Sequence, residues 1–487
     1  MRGLKGTPIL APRLMTMALR YRLQRMTTKL LFGVALYLCA ACFAPVRAAL
    51  PPNAKQPAKF TLARQQVPAP SSPTAVVDAK SATAQPAGKR VTAYTLPPDL
   101  YRKAHLLGQI AFWGEIVTFV YSLIFLLLVL KWRWASGFRD HAEKSARNRF
   151  VQSILFTPPL IFAIAVLNFP LDAVRESILR KFGLSVESWA SWFGDWCKSE
   201  ILVILLAIVL VWGLYALIRR SPRRWWLYCW LASLPIVVSL IFVQPLLVDP
   251  LFHKFEPLEQ KDPPLTQALE TMVRHAGVAI PHERMFWMGA SAKTTALNAY
   301  VTGIGASKRI VVWDTTIAKM STPQIVYVAG HEMGHYVLNH IPKGIAFAAG
   351  GLLVLFFLLY RCIGGLLARG GPGWGIHAVD DWASLPAFLV LIAVFSFIGN
   401  PIGSAFSRHV EHQADQYGLE VTHGLTPDSS QIAAQSFQIL GEVDLADPDP
   451  SRLDIFLFYD HPSIPDRIRF CLSYDPWSKG EQPEFVH

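Results

Sequence analysis

Hydrophobic positions gather into six long blocks, near 110–130, 151–171, 200–218, 226–248, 344–361 and 383–403. Each is long and apolar enough to cross a bilayer core as a helix. Polar or helix-breaking residues inside them (Glu115, Pro158-Pro159, Asn168) are expected to face protein or a water-filled cavity rather than lipid. Between the fourth and fifth blocks the period changes. Residues 264–276 read as a short helix and residues 284–314 as a small sheet. A second helix follows, with Thr322 as N-cap, Pro323 at its first position and an apolar body of Ile325, Val326, Val328, Ala329 and Leu338. A shorter apolar run at Leu30–Ala44 follows 29 residues holding seven Lys or Arg and no acid. Residues 1–49 therefore read as a signal peptide or a first span. The Pro/Ala-rich stretch 50–105 reads as a disordered linker.

The predicted organisation is a four-span region at 106–248, an extramembrane segment at 249–343, two spans at 344–403 and a C-terminal segment at 404–487. Composition agrees: 52% of residues are hydrophobic and 16% charged, a balance seldom found in a soluble domain. Charge suggests an orientation. Residues 131–149 carry six Lys or Arg and residues 219–226 carry four Arg, so both are expected to be cytoplasmic. Counting spans from there puts 249–343 and 404–487 outside, although 50–108 also holds eight basic residues. A net charge of +12 then needs no nucleic acid, because anchoring to the inner leaflet accounts for much of it. No Walker or dinucleotide glycine loop is present, which excludes a nucleotide-driven machine of those types. The six cysteines form neither a disulfide framework nor a Cys-rich zinc site.

The chemistry sits at His331-Glu332-Met333-Gly334-His335. Two histidines four apart share a helix face and can reach one zinc ion, and Glu332 can take a proton from a water on that ion. Catalytic zinc needs a third protein ligand, and Glu411 is the candidate. Asp415, one turn on, is expected to hold a zinc-bound His or to give a proton to the leaving group. His409 and His412 are rival ligands that point off the Glu411–Asp415 face. His340 continues the motif helix but lies nine residues past His331, half a turn off the ligand face.

H-E-x-x-H followed, after two hydrophobic spans, by S-R-x-x-E-x-x-A-D resembles the type I CAAX prenyl endopeptidases, membrane-integral zinc proteases. Asn298-Ala299-Tyr300, the Lys308–Thr315 strand, and His461-Pro462-Ser463 with Arg467 resemble three further family segments. The resemblance implies a mostly α, polytopic membrane bundle of six or seven spans carrying a gluzincin-like α+β zinc protease domain, in a bacterial inner membrane. It implies one zinc per chain on His331, His335 and Glu411, with Glu332 as base and Asp415 as proton donor or outer support. It puts His461 and Arg467 near the substrate, and makes Asn298, Ala299 and Tyr300 an edge strand to which substrate backbone adds. The partners expected are a peptide or membrane-protein substrate and the bilayer, with no nucleic acid and no nucleotide. Eukaryotic relatives face the cytosol, so an outward site would be a departure. Other readings of the chain are a catalytically silent membrane chaperone or binding protein of this fold, or a transporter. Intact Glu332 argues against the silent relative, and the complete ligand set against the transporter.

Overall fold

The structure, a computed structural model, describes residues 90–303 and 308–486. The expected leader or first span at 1–49, and most of the expected linker, lie outside the described residues. Residues 91–97 are extended and held by two glutamines. The Gln431 side chain exchanges two 3.0 Å bonds with the Val91 backbone, and Gln438 Nε2 donates to Thr95 O at 2.6 Å. The first helix starts at Pro98, inside the stretch expected to be linker, where a proline suits the first turn.

Among the described residues, five helices are long and apolar enough to span a membrane: α1 (Pro98–Lys131), α3 (Arg149–Lys181), α4 (Trp189–Arg220), α10 (His340–Trp374) and α11 (Leu385–Thr422). The remaining expected block forms a shorter apolar helix, α5 (Trp225–Val243), which gives way to a π turn at Gln244–Val248. An amphipathic helix, α2 (Trp134–Ser145), links α1 to α3. The polar residues inside the spans pair within the protein, as expected. Asn168 accepts from Ser122 Oγ at 3.1 Å and donates to Ile164 O at 2.8 Å, and Tyr121 donates to Leu167 O at 2.8 Å. Glu115 is half-buried.

The extramembrane part begins with β1 (Phe255–Pro257), α6 (Leu258–Lys261) and α7 (Pro263–His275). Then come β2 (Met285–Met288), β3 (Ala299–Thr302), β4 (Arg309–Trp313), α8 (Asp314–Lys319) and α9 (Thr322–Val337). The sheet order is β1-β2-β4-β3. β2 and β4 are parallel and the outer pairs antiparallel, so β3 is an edge. Strand alternation splits its two faces. Met285, Ala299, Ile310 and Val312 pack with α7 and α9, whereas Tyr300, Val311 and Trp313 pack with Leu107 and Leu179 at the ends of α1 and α3. After α11, α12 (Ser429–Val443) and α14 (Ile464–Ser473) close over α9, and α13 (Arg452–Phe458) packs against α11.

The basic loops and the His331–His335 segment occupy opposite ends of the bundle. Arg219 Nη2 donates to Asp380 O at 2.9 Å, Ser136 Oγ to Trp374 O at 2.6 Å, and Arg139 pairs with Asp381. These contacts gather 131–149, 219–226 and the α10–α11 turn at one pole. At the other pole Thr295 Oγ1 donates to Gly183 O at 3.2 Å and Tyr94 OH to Ala446 O at 3.0 Å, joining span ends to the sheet and the C-terminal helices.

Candidate active site

Helix α9 starts one residue earlier than Thr322-Pro323 predicts. Ser321 is the N-cap and donates its backbone N–H to Gln324 Oε1 at 2.8 Å, half of a capping box. Four small residues then let α9 and α11 approach closely. A Cβ on Gly330 would lie 2.9 Å from Val421 Cγ1, one on Gly334 3.2 Å from Ala414 Cα, and one on Gly418 3.1 Å from His331 N. This approach brings a carboxylate pair on one helix to a histidine pair on the other. Gly418→Ala is expected to cost about 1–3 kcal/mol by overpacking. It should also pull His331 from Glu411, seen as a lower unfolding temperature together with lost metal.

Three donors converge. His331 Nε2 is 3.3 Å from His335 Nε2 and 3.3 Å from Glu411 Oε2, and His335 Nε2 is 3.7 Å from Glu411 Oε1. Tetrahedral ligands about 2.0–2.1 Å from zinc are themselves roughly 3.3 Å apart, so the spacing fits. The buried Glu411 Oε2 supplies a second test. It lies 2.9 Å from His461 Nε2, yet it accepts no well-directed hydrogen bond, so a lone pair is left for a cation. Among the described residues these three form the only such group of His, Cys, Asp and Glu side chains.

The surrounding residues divide into those behind the histidine pair and those in front of it. Asp415 lies behind His331, not in front of it. Its Oδ1 is 2.8 Å from His331 Nδ1, and Arg467 grips both of its oxygens, Nε to Oδ2 at 2.8 Å and Nη2 to Oδ1 at 2.5 Å. Arg467 is itself buried and lies over the Phe437 ring at 4.1 Å. His461 faces the three converging donors, with Nδ1 held 3.1 Å from Asp460 Oδ1. Asn298 precedes the edge strand beside α9 and Ala299 begins it, with Asn298 N donating to Thr316 Oγ1 at 2.7 Å. The Tyr300 ring is on the far face of the sheet from α9, so only its backbone is offered along that edge. His409 and His412 are both exposed, and the His412 ring lies tilted against Phe470 with centroids 4.2 Å apart.

Charges are unevenly held. Burial alone would lower His331, but Asp415 and Glu411 outweigh it and hold the imidazolium at about 10. Burial and the His331 charge push His335 down to about 3. Burial pushes the Glu332 carboxyl up to about 7, with Glu411 adding to the rise and His331 opposing it.

Sequence reasoning missed several supporting residues. His340 returns to the site because the helix breaks at Asn339. Arg408 donates from Nη1 to Ile455 O at 2.9 Å and to Tyr459 O, steadying the segment that carries His461. The i, i+4 spacing of Gly330 with Gly334, and of Ala414 with Gly418, was a readable sign of close helix contact.

Residues 259–474 match peptidase family M48, and residues 82–254 match the description "CAAX prenyl protease N-terminal, five membrane helices". The chain is 36% identical over 330 residues to a Bacillus subtilis protein named uncharacterized metalloprotease YhfN, covering 67% of this chain and 75% of that one. The chain belongs to peptidase family M48. As a family member it is a membrane-integral metallopeptidase with a CAAX-protease-like fold. It is also 24% identical over 332 residues to CAAX prenyl protease 1 of Saccharomyces cerevisiae, covering 65% of this chain and 71% of the relative. The crystal structure of S. mikatae Ste24p superposes with a TM-score of 0.64 at 22% identity, covering 78% of this chain and 91% of that one, a likeness of fold.

Proposed function

We propose that this M48 member is a zinc-dependent endopeptidase of a bacterial inner membrane, with one zinc on His331, His335 and Glu411. The convergence of those three donors, with spacings of 3.3, 3.3 and 3.7 Å and Glu332 alongside, carries the reading. Zinc held there supplies Lewis acidity, acidifying a neighbouring water and polarising a carbonyl. Glu332 accepts the proton of the attacking water and returns it to the leaving amine. His461, oriented by Asp460, donates to the developing oxyanion. Arg467 holds Asp415 behind His331, and Asp415 accepts from His331 Nδ1–H, so the proton that a bound zinc would displace from the imidazolium is the one on Nε2. The free edge of β3 pairs with an extended peptide backbone, which favours segments lacking stable structure. Unfolded or misinserted membrane proteins are the substrates that best suit a site mounted on span ends. Relatives are named CAAX prenyl proteases, but no feature among the described residues calls for a prenyl group.

Purified protein offered a peptide library should cut internal bonds, lose activity to a chelator and regain it with zinc. Chelator-insensitive cleavage, or none, would overturn the reading. The basic pole favours an outward-facing site. In a cysteine-free background, Ser473→Cys should react with a membrane-impermeant thiol reagent in intact cells and Ser145→Cys should not. The opposite pattern would put the site in the cytosol.

A further inference from the structure

We propose that His340 and Gln413 are positioning residues that fix the tautomer of His335 through a neutral relay. The inference rests on the reading of His335 as a metal ligand. Asn339 adopts the left-handed conformation, with φ 56°, between α9 and α10. A residue there ends one helix and starts another in a new direction, and Asn tolerates it better than most. Without the break, His340 would point away from the ligand face. With it, His340 is buried and its Nδ1 lies 3.1 Å from His335 Nδ1. Its other nitrogen, Nε2, lies 3.1 Å from Gln413 Oε1 on α11.

For neutral rings, one proton arrangement satisfies both contacts and leaves His335 able to bind a cation. Gln413 Oε1 can only accept, so His340 carries its proton on Nε2. His340 Nδ1 is then an acceptor, and His335 Nδ1–H donates to it. The lone pair of His335 is thereby placed on Nε2, which faces His331 Nε2 at 3.3 Å and Glu411 Oε1 at 3.7 Å. Turning the Gln413 amide over would reverse each donor and put a proton on the nitrogen that should hold the metal. The two ligand histidines are thus supported unequally. His331 leans on a carboxylate, Asp415, and His335 on a neutral imidazole. Residues supporting ligands in this way commonly set metal affinity.

The test is zinc affinity of the full chain in detergent, measured by competition with a chromophoric chelator, with no substrate present. His340→Ala and Gln413→Leu should each weaken zinc binding by roughly 10–100-fold. Gln413→Glu, whose carboxylate is a pure acceptor, should bind zinc at least as tightly as the parent. The double variant His340→Ala/Gln413→Leu should be little worse than either single one, because both break the same relay. If His340→Ala fails to fold, the contrast between Gln413→Leu and Gln413→Glu decides, since a role in packing alone gives no reason for Glu to restore what Leu loses. Parent-like affinity in both single variants, or equal weakening by Leu and Glu at 413, would overturn the relay while leaving the metal site standing. A parent chain that takes up no zinc would remove the metal-site reading, and the relay with it.

Discussion

Glu332→Gln is expected to keep the parent's zinc content while peptide hydrolysis falls by roughly 10²–10⁴-fold, the usual worth of a positioned general base. The amide has the size and shape of the carboxylate, so α9 and the His331–His335 pair should be undisturbed. It cannot take a proton. Glu332 sits one residue from a ligand, in surroundings whose burial raises its carboxyl to about 7, near the range where a base works best. Metal analysis beside steady-state rates checks both halves. Equal rates for variant and parent would remove Glu332 from the reaction.

Arg467→Ala should be the most damaging change for stability, by about 3–5 kcal/mol, because it leaves buried carboxylates uncompensated. Asp415 is 1% exposed and Arg467 8%, and the guanidinium forks onto both Asp415 oxygens. Its Nη2 also lies 3.9 Å from Glu411 Oε2, so metal retention should fall along with the unfolding temperature. Arg467→Lys should lose part of both, since an ammonium cannot make the two-pronged contact. The family resemblance places Arg467 near the substrate. A contact of that kind would instead raise KM in a chain that unfolds at the parent's temperature, and that result would overturn the structural role.

Much of the site was legible because its spacings are helical. His331 and His335, or Glu411 and Asp415, share a face in any α-helix, whatever surrounds it. The spans were equally plain, since an apolar block must become a helix to satisfy its backbone in lipid. The shortfalls lie where one element must be known relative to another. The side of Asp415 that Arg467 occupies depends on how α14 packs over α9. Tyr300 could be placed on a strand, but not on a face, until the register Tyr300↔Val311 was known. His340 was misjudged because one residue, Asn339, left the helical region, and Asn only permits that conformation without requiring it.

The amino-acid sequence alone determined the membrane class and the six apolar helices, and it singled out His331, His335 and Glu411 as candidate ligands and Glu332 as candidate base. Each follows from periodicity or from the chemistry of a side chain. The tertiary structure alone decided how near α9 and α11 come. It also decided which carboxylate backs which histidine, and that the span and Glu411 share one unbroken helix, α11, 38 residues long. Those features depend on contacts between residues far apart in the chain. Packing selects among them by steric fit and by the cost of leaving buried charge unpaired, and neither can be computed from one segment by itself.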